Sequence, residues 1–159
     1  MEKTLPYRRC AGIMLLNKKG KVFVAKRIDT DVEAWQMPQG GIDEGEDPKA
    51  AAIRELEEET GVTNAVVIGE HKNWLTYDLP DELYGKVWKG RYGGQTMKWF
   101  AMRFHGQDNE IDIATEHPEF STWKWADISE IEDIIVPFKR KIYRILAESF
   151  ADLAENKND

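Results

Sequence analysis

The chain has 159 residues, a formal net charge of -7 and 42% hydrophobic residues. That length suits one domain that can bury a core without covalent staples, and the apolar and aromatic content excludes a disordered chain. A lone cysteine, Cys10, excludes an intramolecular disulfide and a cysteine-based metal site, and the longest apolar run, residues 11–16, is too short to span a membrane.

The first residues, Met-Glu-Lys-Thr-Leu-Pro, lack the apolar stretch of a secretory leader, so a reducing cytoplasm is the expected location. Residues 11–16 and 21–27 flank Asn17-Lys18-Lys19-Gly20 and read as a hairpin, two apolar runs around a polar turn that ends in glycine. Residues 34–38 read as a short strand entering Gln39-Gly40-Gly41. Residues 48–60 read as a helix. Asp47 can cap its free N–H groups, Pro48 suits the first helical position, and Gly61 can end it in the left-handed conformation. Residues 66–68 and 74–77 read as extended, residues 96–104 as an apolar and aromatic strand, and residues 120–125 as a strand carrying Phe120, Trp123 and Trp125. A short helix is expected over 127–135 and a longer amphipathic one over 137–155, with Phe138, Ile142, Ile145, Leu146 and Phe150 near a 3.6-residue period. Strands interleaved with helices imply an α/β chain with a mixed sheet packed between helices. No repeat or linker divides it, so residues 1–159 read as one domain. Cys10 and most of the six tryptophans read as core, and His71, His105 and His117 as surface or sheet positions without metal-ligand spacing.

Charge is unevenly placed. Residues 43–59 hold eight acids against Lys49 and Arg54, a net -6, whereas the rest of the chain nets -1. Residues 83–107 contain Lys86, Lys89, Arg91, Lys98 and Arg103 and no acid, and Lys139, Arg140, Lys141 and Arg144 form a second basic cluster. Within the acidic helix, Glu55, Glu58 and Glu59 are spaced i, i+3, i+4 and share one face, while Ile53, Leu56 and Thr60 are expected to face the core. Three crowded carboxylates repel unless a cation sits among them, and hard divalent cations take oxygen ligands of this kind. Gly40, Gly41 and Gly45 read as a flexible loop that lets backbone approach a metal or phosphate.

The run Gly40, five residues, Glu46, seven residues, then Arg54-Glu55-Leu56-Glu57-Glu58-Glu59-Thr60-Gly61-Val62 matches the Nudix box at all nine fixed positions. The chain thus resembles the Nudix hydrolases. The resemblance implies an α/β/α sandwich with a mixed sheet between helices. It also implies hydrolysis of pyrophosphate bonds with two or three Mg2+ or Mn2+ ions. It makes Glu55, Glu58, Glu59 and the Gly40 carbonyl metal ligands, with Glu46 and Arg54 holding the loop and orienting them. Motifs outside the box are similar to bacterial RNA pyrophosphohydrolases and the related dinucleoside polyphosphate hydrolases. They include Tyr7-Arg8, Trp35-Gln36-Met37-Pro38-Gln39-Gly40-Gly41, Tyr77-Asp78-Leu79-Pro80, Gly94-Gln95, Lys98-Trp99-Phe100, Pro118-Glu119-Phe120 and Val136-Pro137-Phe138-Lys139-Arg140. One departure is Gly93, where that group commonly carries a basic residue.

By this likeness Glu119 would reach the metals as ligand or general base. Arg8, Arg27, Gln39, Lys98, Lys139 and Arg140 would surround the phosphates, and Tyr77 and Phe138 would stack on bases. The implied substrate is 5′-triphosphate RNA, cleaved to 5′-monophosphate RNA and pyrophosphate as in mRNA decay. The alternative is a dinucleoside tetra- or pentaphosphate cleaved to release ATP. An inactive Nudix-fold binding module is a remote third, since such modules usually lose box glutamates and none is missing here. No membrane or DNA partner is implied.

Overall fold

The computed structural model describes residues 4–155. Residues 1–3 and 156–159, which the leader and single-domain readings include, lie outside that range. Seven strands form one sheet: β1 (Tyr7–Leu16), β2 (Val22–Arg27), β3 (Gln39–Gly41), β4 (Ala65–Glu70), β5 (Leu75–Asp78), β6 (Gly94–Phe104) and β7 (Phe120–Ala126). Its main path runs β4-β6-β1-β2-β7, with β3 also on β1 and β5 also on β6. β1 and β6 pair in parallel over ten residues, and the other pairs are antiparallel. The sheet is therefore mixed. Its parallel centre is buried almost continuously, as strands covered on both faces require.

Alternation sorts each central strand between two cores. Cys10, Met14, Val22, Val24, Met97, Trp99 and Ala101 face α2 (Ile131–Ile134), α3 (Arg140–Ser149) and α4 (Ala151–Glu155), meeting Ile131, Ile142, Tyr143, Leu146 and Phe150. Ala11, Ile13, Leu15, Phe23, Phe100, Met102 and Phe104 face α1 (Pro48–Thr60), meeting Ala51, Ala52 and Leu56. Each such large apolar side chain contributes about 1.5–3 kcal/mol on full burial. Helices on both faces make this the α/β/α sandwich.

α1 starts and stops where local chemistry dictates. The Asp47 carboxylate accepts from the Ala50 N–H at 3.1 Å, Pro48 opens the helix, and Gly61 closes it with φ 73°. Elsewhere the structure corrects the sequence-based expectations. The strand expected over 34–38 is reduced to one bridge between Gln36 and Ala25, and the true strand is β3, three residues on. Gly40 and Gly41 thus form no flexible loop but are paired to Ala11 and Cys10. Ile53 is 47% exposed, because the sheet reaches only the Ala52–Leu56 side of α1. The helix expected over 137–155 is a 3-10 turn, α3 and α4, interrupted at Phe150, which leaves helical geometry with ψ 10° to enter the core. Only Trp99 of the six tryptophans is fully buried. Trp35, Trp88, Trp123 and Trp125 pack at core margins, and Trp74 is exposed.

Candidate active site

β3 delivers Gln39 and Gly40 against the face of α1 that carries the glutamates. A Cβ at Gly40 would lie 2.0 Å from the Glu55 carboxyl carbon, so only glycine lets that carboxylate press on this backbone. Glu59 is 7% exposed, and its Oε2 accepts from the Gln39 N–H at 3.3 Å. Burial, with Glu55 and Glu119 beside it, pushes its carboxyl up to about 9. Burial also raises Glu55, although Arg54 opposes the shift. Glu119 enters from the start of β7, where its carbonyl accepts from the Ile28 N–H at 2.8 Å. Glu55, Glu58, Glu59 and Glu119 line a cleft of about 560 Å3 together with Arg54, Glu57, Thr115, Glu116 and His117.

Arg54 organises this cleft. Its Nε and Nη2 donate to both oxygens of Glu46 at 2.8 Å, and Nη2 also donates to the Gly41 carbonyl at 2.9 Å. Nη1 donates to Glu55 at 2.8 Å and to Glu58 at 3.2 Å. The bidentate pair holds Glu46 at about 2, well below the usual carboxylate range. A 3.0 Å bond from the Asp43 N–H to Glu46 ties the turn before α1 to the same hub. As the side chains stand, no three carboxylate, imidazole or thiolate groups among the described residues converge as a ligand set. Two of the expected ligands, Glu55 and Glu58, are turned onto Arg54. The donor chemistry still fits a hard divalent cation: oxygen ligands only, and a buried Glu59 whose neighbours are carboxylates.

A second cleft of about 590 Å3 is mostly apolar. Tyr77, Leu79, Leu83, Trp88 and Phe138 line it with the cations Arg27 and Lys139. Tyr77 and Phe138 rings lie 5.5 Å apart at 43°, and the Lys139 ammonium sits 5.5 Å from the Tyr77 ring centre. Burial, with Arg27 nearby, brings the Lys139 amine down to about 8. Arg27 is held by Asp29, with Nε donating at 2.8 Å, and its charge reaches Glu59, which joins the two clefts. Beneath them runs a buried polar chain. Gln39 donates to Gln95 at 3.3 Å, Tyr77 donates to Gln95 at 2.7 Å, and Gln95 and Arg8 donate to the Cys10 sulfur at 3.0 and 3.2 Å.

The fold thus gathers Arg54, Glu55, Glu58, Glu59 and Glu119 at one cleft and Arg27, Tyr77, Phe138 and Lys139 at the other. Gly40 lies against Glu55, Gln39 bonds both Glu59 and Gln95, and Arg8 bonds the Cys10 sulfur. Lys98 and Arg140 line neither cleft. Alternation along β6 puts Lys98 on the opposite face from Gln95, where it pairs with Glu70 at 3.1 Å and donates to the Lys72 carbonyl at 2.8 Å. One helical step from Lys139 turns Arg140 outward to solvent. Sequence reasoning assigned no role to Thr115, Glu116 or Trp88, quoted Gln95 only within a motif, and read His117 only as a surface or sheet position. Gln95 was signalled by its place after Gly94. Thr115, Glu116 and His117 have no periodic or spacing signal, because they lie on the irregular segment before β7. His117, expected as a surface or sheet position, borders the carboxylate cleft.

The NUDIX domain model matches residues 6–146. The chain is 58% identical to the RNA pyrophosphohydrolase of Roseobacter denitrificans over 148 residues, 92% of each chain. It is 59% identical to that of Sphingopyxis alaskensis over 151 residues, 94% of this chain and 96% of the relative. Among solved structures it is similar in fold to a C. elegans Ap4A hydrolase binary complex, with TM-score 0.65 at 21% identity, covering 91% of this chain and 98% of that one. It is also similar in fold to the E. coli dihydroneopterin triphosphate pyrophosphohydrolase, with TM-score 0.67 at 18% identity, covering 91% and 99%. An uninterrupted box, this sandwich and these matches place the chain in the Nudix family of pyrophosphohydrolases.

Proposed function

We propose that this chain removes pyrophosphate from the 5′ end of triphosphorylated RNA and leaves a 5′ monophosphate, a step in mRNA decay. The observation that carries the reading is the extent of the likeness to RNA pyrophosphohydrolases. It covers 92% and 94% of the chain, too much to leave out either cleft. The Gly40 carbonyl, Glu55, Glu58, Glu59 and Glu119 are assigned as holders of divalent ions, two or three Mg2+ or Mn2+. When bound, such ions neutralise phosphate charge and lower the pKa of a bound water. Arg54, fixed by Glu46, positions Glu55 and Glu58. One of the cleft glutamates takes the proton of the attacking water. Arg8, Arg27, Gln39 and Lys139 grip the phosphates, and Tyr77 and Phe138 hold a base against their faces. No helix of the described residues is long and apolar enough to cross a membrane, and the cytoplasm is the proposed location.

The deciding experiment compares kcat/KM on 5′-triphosphate RNA, diadenosine tetraphosphate and a nucleotide sugar. Preference for the RNA is expected. Preference for the dinucleotide would favour the alternative, a dinucleoside polyphosphate hydrolase, and cleavage of the nucleotide sugar alone would overturn both.

A further inference from the structure

Residues 80–93, between β5 and β6, fold back on themselves through backbone hydrogen bonds from Leu83, Tyr84, Lys86, Val87, Gly90 and Arg91 to carbonyls within the same segment. Four residues in this loop have positive φ: Gly85 (79°), Trp88 (51°), Lys89 (58°) and Gly90 (73°). Trp88 and Lys89 are the only non-glycine residues so held among those described. L side chains resist this region, so the loop must be over-determined by its surroundings, and such strain gathers at ligand clamps. The surroundings are visible. The Arg8 guanidinium lies 5.7 Å from the Trp88 ring centre, and Tyr92 meets Trp88 edge-on at 6.2 Å and 76°. The strain sets the indole as a wall of the Tyr77–Phe138 cleft. On the same loop Lys86, Lys89 and Arg91 are exposed, and the Arg91 guanidinium lies 5.6 Å from the Tyr92 ring centre. An aromatic wall at the mouth of a cleft, edged by exposed cations, is how proteins track single-stranded nucleic acid.

We propose that this loop is a polynucleotide platform: Trp88 carries a base beyond the triphosphorylated nucleotide, and Lys86, Lys89 and Arg91 follow the phosphodiester backbone. The proposal rests on the RNA reading above and adds to it the feature that separates a polynucleotide from a mononucleotide bearing the same triphosphate. The quantity to measure is kcat/KM on a 5′-triphosphate oligoribonucleotide divided by kcat/KM on a nucleoside triphosphate. Trp88→Ala should lower that ratio about tenfold through KM on the oligonucleotide, as loss of one stacked base predicts, and Trp88→Phe should keep most of it. Binding of a 5′-hydroxyl oligoribonucleotide gives a readout free of catalysis. Replacing Lys86, Lys89 and Arg91 together by Ala should lower the slope of log affinity against log salt by about 2, since each single-strand phosphate contact contributes about 0.7. An unchanged ratio with Trp88→Ala, an equal loss on both substrates, or an unchanged salt slope would overturn the platform. If the wild-type enzyme cleaves no triphosphorylated oligonucleotide, the RNA reading itself falls. If it does and the variants change nothing, only the platform falls.

Discussion

The two clefts meet at Gln39 and Arg27 yet are built from opposite materials. The first is walled by carboxylates, with Arg54 alone among cations, and its most buried acid is held far above its ordinary pKa. The second is apolar and aromatic, and its most buried charge is an amine held below its ordinary pKa. In both, burial penalises the charged form, and the partial relief from this chain's own groups, Arg27 on Glu59 and Cys10 on Lys139, does not overcome it. Under the proposed function, divalent cations relieve the first and substrate phosphates the second. The proposed function therefore divides chemistry from grip, so a variant in one cleft should fail in a different way from a variant in the other.

The largest test removes the cations. Activity should vanish in a chelator and return with Mg2+ or Mn2+, and turnover in metal-free buffer would break the assignment of the first cleft. Close behind, Glu58→Gln and Glu59→Gln should lower kcat by about 10²–10⁴ with circular dichroism unchanged, the range expected for a lost base or ligand. Arg54→Lys keeps the charge but cannot hold both Glu46 oxygens while reaching Glu55 and Glu58, so a loss of about 10–100-fold is expected, again in kcat. In the second cleft the effect should move to KM. Lys139 loses its charge as pH rises through about 8, so kcat/KM should fall severalfold between pH 7 and 9. Lys139→Arg should flatten that limb, and an equal fall in both proteins would detach it from Lys139.

The smallest effect is on stability. In metal-free protein the Glu59 carboxyl is raised to about 9 above an unfolded value near 4.3. The folded state therefore holds the proton more tightly, and stability is greatest below the unfolded value and declines as pH rises towards 9. Glu59→Gln, which carries no ionisable group there, should raise Tm in chelator by a few degrees. That gain should widen from pH 5 to pH 9, as followed by thermal melts.

What could be read along the chain was whatever is encoded locally. The Asp47 cap, Pro48, the i, i+3, i+4 glutamates and the Gly61 stop all act within α1, so the helix and its acidic face were legible, and with them the box that names the family. β3 was not. Gln39-Gly40-Gly41 has no apolar alternation and is a strand only because β1 offers it hydrogen bonds. Ile53 misled for a related reason: helical periodicity says which residues share a face but not where the sheet stops. Lys98 and Arg140 were grouped with phosphate ligands by their motifs, and strand alternation and helical rotation carried them elsewhere.

The opening charge of -7 now has a location. Most of it is one loop–helix whose carboxylates crowd a cleft and whose single arginine cannot neutralise them, and that much the sequence determined by itself, because the charges are neighbours along one helix. Only the tertiary structure decided that Glu119 joins them, that Arg27 and Lys139 stand beside them, and that Trp88 closes the far wall. These residues lie tens of positions apart, and the sheet register, a property of strand pairing and of no local segment, brings them together.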